Sequence, residues 1–202
     1  MTIETTFRSI FFTLFIAVLV IRLYFGWKIR RADGGSWFVQ KEAVEREGWW
    51  SILLRFVMFL YMIAVAIAYA ANPPWLSSFV APFPIWLRWM GVVMGGLGLL
   101  LLVWVHDTLG RHWSTNLQLK EVHTLVTGGP YRWARHPMYT ALFAFFVGLA
   151  LTAASWLIVL LVVISIAGLY ARIGKEEGMM VEQFGDEYCQ YMKHTGRFLP
   201  GL

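Results

Sequence analysis

Residues 123–139 read HTLVTGGPYRWARHPMY, and they form the longest polar, turn-rich passage in an otherwise apolar chain. Long apolar runs lie on both sides of this passage, at residues 85–105 and 137–153. Runs of this kind enter the hydrocarbon of a bilayer, and a polar connection between two of them stays at the membrane surface. The sequence therefore predicts a frame of membrane helices that holds residues 123–139 at a set depth.

The composition also indicates a membrane protein. Of the 202 residues, 58% are hydrophobic and only 14% are charged, whereas soluble domains have roughly 45–50% apolar and about 25% charged residues. The length fits one domain. One cysteine, Cys189, excludes a disulfide within the chain and a metal site built from several cysteines.

Five apolar runs have lengths close to the number of residues that crosses about 30 Å of hydrocarbon. They are residues 7–25, 49–71, 85–105, 137–153 and 156–171. The first run lacks the basic start and small-residue cleavage site of a signal peptide, so it is interpreted as a spanning helix. The last two runs are joined by a tight uncharged turn, which predicts a helical hairpin. The predicted fold is an all-α integral membrane protein with about five transmembrane helices.

Two further patterns refine this fold. In the third run, Gly91 and Gly95 form a small-xxx-small pattern, which favours close helix packing; a groove for a lipid chain is the alternative. In the tail, apolar residues at helical spacing predict an amphipathic surface helix. Residues 185–186 divide this helix, with glycine ending one piece and aspartate capping the next.

The basic residues predict the orientation. Residues 26–48, residues 106–136 and the tail are basic, whereas residues 72–84 and 154–155 contain no lysine or arginine. Cytoplasmic loops carry the excess of lysine and arginine, which predicts an external N-terminus and a cytoplasmic C-terminus in an inner or plasma membrane. Residues 1–202 then form a single membrane domain, with a three-helix scaffold at 1–105 and a catalytic half at 106–202.

The step from His136 to Pro137 is a candidate helix start. A residue before proline is pushed out of the α region, and proline suits the first turn of a helix. The free N–H groups and the positive dipole end of that helix would favour an anion at the cytoplasmic face. His136 would stand at the mouth of this site, and Tyr139 would lie in the first turn. Alternatively, His136 caps the helix and Tyr139 anchors it at the interface.

Arg172 and Glu176 are four residues apart and share one face of a helix. They form either a surface salt bridge, which contributes little, or a site in which Arg172 holds an acidic group and Glu176 a cationic or hydroxylated one. The histidines show no metal-ligand spacing, and no nucleophile elbow or P-loop is present. The basic and aromatic residues are explained by a membrane interface, so neither a metal nor nucleic acid is expected.

The second half of the chain resembles the catalytic half of the isoprenylcysteine carboxyl methyltransferase family, whose members are integral membrane enzymes that use S-adenosylmethionine. The matching segments are HTLV (123–126), GPY (129–131), RHPMY (135–139), EE (176–177), FGDEY (184–188) and RFLP (197–200). The similarity runs from residue 109 to 199, and the five-helix frame is similar to smaller prokaryotic members. The family often has a longer acidic run where this chain has Glu176, Glu177 and then Gly178.

The resemblance implies a role for ten residues. The cofactor-binding positions are Gln118, His123, Leu125, Val126, Tyr131, His136, Pro137, Tyr139 and Glu176. Among them, His123, Leu125 and Val126 line the adenosine, and Glu176 binds the polar end of S-adenosylmethionine. Arg172 is the catalytic position, which faces the carboxylate of the acceptor.

The hypothesis is direct methyl transfer to the carboxylate of a lipophilic, isoprenylcysteine-like acceptor that arrives from the membrane lipid. A carboxylate with a pKa near 4 is already ionised, so no strong base is needed. Three alternatives remain open. The acceptor is a phospholipid amine or a small thiol, the chain is a non-catalytic membrane binding protein, or it is a reductase of the sterol type that binds NADPH.

Overall fold

The computed structural model of the chain describes residues 2–33, 49–110 and 124–200, and these are mostly helical. The α-helices are α1 (Ile3–Asp33), α2 (Trp49–Ala71), α3 (Ile85–Leu109), α4 (Pro137–Ala153), α5 (Trp156–Phe184) and α6 (Asp186–His194). Two 3-10 helices lie at Pro74–Phe79 and Gly129–Arg132. Helix α4 is central and packs against α1, α3 and α5.

The helices have the lengths and the surface of membrane spans. Segments Ile3–Lys28, Ile85–Leu109 and Trp156–Phe184 are long and apolar enough to cross a bilayer, and Phe56–Ala71 and Pro137–Ala153 are shorter apolar helices. Large apolar side chains such as Leu23 and Leu100 are more than half exposed and would face lipid. The prediction of an all-α integral membrane protein is confirmed.

Glycines set the contact between α3 and α4. A Cβ atom on Gly91 would lie 2.6 Å from the Cβ of Leu151, and one on Gly98 would lie 2.7 Å from the backbone nitrogen of Phe145. Real Cβ atoms do not come this close to other atoms, so the two backbones touch where only glycine fits. The packing interpretation of the small-residue pattern is therefore confirmed.

An arginine ties three helices together at the end where α1 and α3 begin. Arg88 is only 4% exposed, and its guanidinium donates to both carboxylate oxygens of Glu4, at 2.5 and 3.1 Å. Its Nε also donates to the carbonyl oxygen of Thr152 at 3.2 Å. The guanidinium lies 4.0 Å from the ring centroid of Phe7. These contacts join α1, α3 and the last turn of α4.

The tail differs from the prediction. Helix α5 does not end near residue 171 but continues without interruption to Phe184, so the first part of the expected surface helix is an extension of the fifth span. Residues 156–184 contain no proline, and the pair Arg172–Glu176 supports one continuous helix at this point. The predicted division at 185–186 is confirmed, because Gly185 has a φ of +51° and α6 begins at Asp186. The predicted aspartate cap is wrong, because Gly185 occupies the N-cap position of α6 and no side chain caps it.

Candidate functional site

A backbone turn delivers the polar passage to the start of α4. Gly129 has a φ of +57°, which favours glycine, and a Cβ atom there would lie 2.8 Å from Oγ1 of Thr108 at the end of α3. After the 3-10 turn, the backbone N–H groups of Arg135 and His136 donate to the carbonyl oxygens of Gly196 and Arg197, at 2.8 and 3.0 Å. The segment before α4 is thus fixed by residues that are far away in sequence.

Helix α4 begins at Pro137, as the sequence predicts. His136 precedes it with φ −122° and ψ 55°, outside the α region, but its side chain makes no capping hydrogen bond. His136 thus occupies the N-cap position, as the capping interpretation has it, but its side chain takes no part in the cap. Instead, its Nε2 lies 3.3 Å from Oε1 of Glu177, and its Nδ1 lies 3.9 Å from Oε2 of Glu176. The imidazole stands between two carboxylates of α5.

The Glu176 carboxylate connects two helices, α4 and α5. Its Oε1 accepts hydrogen bonds from the hydroxyl of Tyr139 at 2.6 Å and from Nε of Arg172 at 2.9 Å. The two partners come from α4 and α5, and the carboxylate remains 24% exposed. The predicted residues His136, Tyr139, Arg172 and Glu176 therefore lie together. Arg172 and Glu176 form an ion pair, but the pair is half-buried beside α4 and differs from an isolated surface salt bridge.

A second carboxylate, Glu177, is enclosed by two arginines. Its Oε1 accepts from Nε of Arg135 and Nε of Arg197, both at 3.2 Å, and its Oε2 accepts from Arg197 at 2.5 Å. Arg135 also donates to the carbonyl oxygens of Met192 and Thr195. This clasp joins the start of α4, the end of α5 and residues 195–197. It holds the Glu177 carboxylate against the imidazole of His136.

Arg135, Glu177 and Arg197 received no role from the sequence, although all three lie within the motifs quoted above. Their pairing spans 20 to 42 residues along the chain. A helical spacing rule can only relate neighbours on one helix, and so it finds Arg172–Glu176 and misses this clasp. The sequence feature that could have indicated this clasp is the occurrence of charged residues in several of the short motifs.

Burial shifts the protonation of the groups near the site. It lowers the pKa of His136, although the nearby carboxylates of Glu176 and Glu177 act in the opposite direction. Burial also raises the pKa of Tyr131 above its usual range, and that of Tyr191 to about 12. At neutral pH the imidazole and both phenols are therefore uncharged, and the charges near α4 belong to carboxylates and guanidinium groups.

The remaining predicted positions are less fully defined. Leu125 and Val126 are half-buried in the extended segment before the turn. Tyr131 accepts a hydrogen bond on its carbonyl oxygen from the hydroxyl of Tyr191, at 2.5 Å, and lies within electrostatic range of Glu176 and Tyr139. Gln118 and His123 lie outside the described residues. All of the roles assigned to these positions stay predictions.

An aromatic wall borders the charged groups. Phe198 lies between α4 and α5, with its ring centroid 5.4 Å from that of Phe143, 6.2 Å from Tyr170 and 6.5 Å from His136. The ring of Tyr139 is 6.2 Å from Phe143. A polar cluster beside an apolar wall suits a ligand that has one charged end and one greasy end. Among the described residues, no group of three or more His, Cys, Asp or Glu could hold a metal ion.

This fold and site define an all-α integral membrane protein in which Tyr139, Arg172 and Glu176 lie together beside the start of α4. The family model described as phospholipid methyltransferase matches residues 86–187, which is just over half of the chain and includes most of this cluster. The chain belongs to the phospholipid methyltransferase family.

The chain is similar to two curated proteins and to one solved structure. Protein-S-isoprenylcysteine O-methyltransferase of Tribolium castaneum is 28% identical over 151 residues, which are 65% of this chain and 50% of that protein. The cobalt-zinc-cadmium resistance protein CzcN of Cupriavidus metallidurans is 25% identical over 158 residues, which are 78% of this chain and 64% of that protein. The solved structure of the eukaryotic intramembrane Ras methyltransferase ICMT matches with a TM-score of 0.53 and 25% identity, over 75% of this chain and 51% of that chain.

The chain thus spans about half of the length of the first and third of these proteins and just under two thirds of the second. The resemblance to the isoprenylcysteine carboxyl methyltransferases, which rests on the motifs from residue 123 to 200, is confirmed by these matches.

Proposed function

We propose that the chain transfers a methyl group from S-adenosylmethionine to the carboxylate of a lipophilic, isoprenylcysteine-like acceptor at the membrane surface. The observation that carries the proposal is the shared carboxylate of Glu176, which binds Tyr139 at 2.6 Å and Arg172 at 2.9 Å and remains 24% exposed. One end of the cluster is thus charged and reachable, and the other is bordered by aromatic rings.

The residues present fit the chemistry of S-adenosylmethionine. Its amino group and cationic sulfonium are suited by the Glu176 carboxylate, and its own carboxylate is suited by the N–H groups in the first turn of α4. Half-buried Leu125 and Val126 offer an apolar surface for adenine. Pro137 would shape the turn, and the neutral groups of Tyr131 and His136 would add polar contacts. Gln118 and His123 belong to the same proposed set.

In the proposed reaction, the bound cofactor supplies an electrophilic methyl group on a sulfonium sulfur. An acceptor carboxylate oxygen forms the new O–C bond while the C–S bond breaks and its electron pair stays on sulfur. No proton moves, because the carboxylate is already ionised at neutral pH. Arg172 orients this carboxylate, Glu176 positions the donor, and the aromatic wall keeps water away. Positioning and solvent exclusion supply the rate enhancement.

The orientation in the membrane is part of the proposal. The excess of lysine and arginine in the basic segments supports an orientation with the α4 start, residues 172–177 and the C-terminus at the cytoplasmic face and the N-terminus outside. The donor would then arrive from the cytoplasm and the acceptor laterally from the lipid. Residues 1–105 would serve as scaffold and residues 106–202 as the catalytic half of a single membrane domain.

The proposal is tested with purified protein in detergent, labelled S-adenosylmethionine and three acceptors: a prenylated cysteine, a phosphatidylethanolamine and a small thiol. We expect label in a base-labile methyl ester of the prenylated cysteine. With a carboxylate acceptor the rate should be independent of pH above about pH 6, because the acceptor is fully ionised there. Failure to bind S-adenosylmethionine in calorimetry would refute the proposal.

Replacing Arg172 tests the assigned acceptor contact. Arg172→Ala should reduce kcat/KM for the prenylated cysteine by about 100-fold, since a charged hydrogen bond contributes about 1.5–3 kcal/mol and the carboxylate also loses its orientation. Lys175→Ala is the matched control, because Lys175 is an exposed cation on the same helix. Unchanged turnover and acceptor affinity in Arg172→Ala would show that this role is wrong.

A phospholipid amine is the second candidate acceptor, and the matching family model is described by that chemistry. An amine attacks only when it is neutral, so its methylation should rise with pH toward the amine pKa. A rising profile together with label in the phosphatidylethanolamine would select this candidate over carboxyl methylation.

A further inference from the structure

Arg22 is an arginine inside the first membrane span that faces the protein interior. It lies six residues before Lys28, where the apolar segment of α1 ends, which is about 9 Å along a helix that rises 1.5 Å per residue. Val18 and Phe25 are buried at spacings of four and three from it, so all three share one helix face. Leu23 and Tyr24 are more than half exposed on the lipid side.

The Arg22 guanidinium lies beside the start of α4. Its Nη1 is 3.8 Å from Sδ of Met138, which is the residue before Tyr139. It is also within electrostatic range of Tyr139 and Arg172. Helix α1 therefore brings a second guanidinium to the start of α4, in addition to the one that α5 supplies with Arg172.

A charge at membrane depth is costly, so such a residue faces the interior and marks a functional site by default. A planar guanidinium matches a carboxylate through parallel hydrogen bonds. The depth of Arg22 is suited to an acceptor whose chain is embedded in lipid and whose charged end reaches the membrane surface.

We propose that Arg22 binds the acceptor's carboxylate together with Arg172, so that the anionic end is held between α1 and α5 while the methyl donor occupies the Glu176 side. This inference rests on the proposed carboxyl methylation and adds a specificity residue from the N-terminal scaffold. In this proposal, two arginines from different parts of the chain make the protein bind a carboxylate in preference to an uncharged end group.

The test compares two ligands that differ only in charge, N-acetyl-S-farnesylcysteine and its carboxamide. Their affinities are measured by binding to the full chain in detergent, without turnover. In the wild type the acid should bind more tightly than the amide. Arg22→Gln should lower the affinity for the acid by about tenfold and leave the affinity for the amide unchanged. A charge-assisted hydrogen bond contributes about 1.5–3 kcal/mol, and 1.4 kcal/mol corresponds to a tenfold change in affinity.

Matched variants separate this role from a structural one. Arg22→Lys should retain most of the preference for the acid, since it keeps the positive charge. Arg31→Gln removes an exposed arginine from the same helix and should change neither affinity. Binding of S-adenosylmethionine and thermal unfolding should be the same in Arg22→Gln and the wild type.

Three results for Arg22→Gln would overturn the proposal. The first is an unchanged affinity for the acid, and the second is an equal loss of affinity for the acid and the amide. The third is a loss of S-adenosylmethionine binding together with the loss of ligand affinity. Competition by a dispersed phosphatidic acid that is as strong as that of the farnesyl acid, and is lost in the same variant, would assign Arg22 to a phosphate headgroup instead. Because the comparison measures binding, it decides the role of Arg22 even if the wild type transfers no methyl group.

Discussion

Arginine–glutamate clusters lie at both ends of the helices, and they differ in how deeply the arginine is buried. At one end, Arg88 is 4% exposed and directs its donors to Glu4, the carbonyl oxygen of Thr152 and the Phe7 ring. At the other end, Arg172 and Glu176 are 21% and 24% exposed and share their contacts with Tyr139. The Arg88 guanidinium is surrounded by protein, although the Glu4 carboxylate is 61% exposed. In the second pair, both the guanidinium and the carboxylate are partly exposed, so a ligand can approach both. We call the Arg88 end the closed end and the Arg172 end the open end.

An ion pair between arginine and glutamate does not by itself indicate function. A pair that satisfies its donors on neighbouring helices stabilises their packing. A pair that is held by a third side chain and remains partly exposed has acceptor and donor positions that a bound molecule can use. The two ends should therefore respond to mutation in opposite ways, one in stability and the other in turnover.

The largest effect is expected at the open end. Glu176→Gln removes the charge that holds both Arg172 and Tyr139, and it should lower kcat by about 100-fold, in the range found for loss of one preorganised electrostatic contact. Thermal unfolding should change little. Glu182→Gln on the same helix is the control, because Glu182 is exposed. An equal loss of activity in both variants would make the open cluster no more functional than the helix surface.

A smaller effect is expected at the closed end. Arg88→Met removes the bonds to Glu4 and Thr152, and it should reduce the free energy of unfolding by about 2 kcal/mol, the scale of charged hydrogen bonds. Methyl transfer by the remaining folded protein should be unchanged. Denaturation in detergent, followed by circular dichroism for Arg88→Met, Glu4→Gln and the double variant, measures the coupling of the pair. Loss of kcat in folded Arg88→Met would erase the contrast between the two ends.

The smallest effect is a pH dependence at the open end. Because burial lowers the pKa of His136 in the folded state, the unfolded chain binds a proton first as the pH falls. The stabilisation is complete above the ordinary pKa of about 6.5 and is lost as the pH falls below it toward the folded pKa. In His136→Gln, the free energy of unfolding should no longer show this loss between pH 7 and 5. Exposed His194→Gln should keep it, and an identical curve in both variants would contradict the assignment.

Local patterns were sufficient for several helix boundaries and for part of the site. The proline at 137, the apolar run to residue 153 and the glycine at 185 predict boundaries that the structure confirms. The spacing of Arg172 and Glu176 predicts their contact. These features depend on neighbours along one helix, which is what periodicity and turn chemistry report.

Contacts between distant segments could not be predicted in this way. The Glu177 clasp, the tie of Arg88 to Glu4 and the approach of Arg22 to Met138 each join residues that are 20 to 116 positions apart. The length of α5 was missed for a related reason. The charged residues after position 171 indicate the end of a membrane span, but they also form a good helix, and hydropathy alone does not separate the two cases.

The bonds from Arg135 and His136 to Gly196 and Arg197 have a consequence for biosynthesis. During translation α4 leaves the ribosome about sixty residues before its partner segment, so the geometry around His136 cannot be complete while the spans are being inserted. The last step in building this region is then the folding back of residues 195–198 onto an already inserted bundle. Any extension or fusion placed directly after that segment acts on the final stage of assembly.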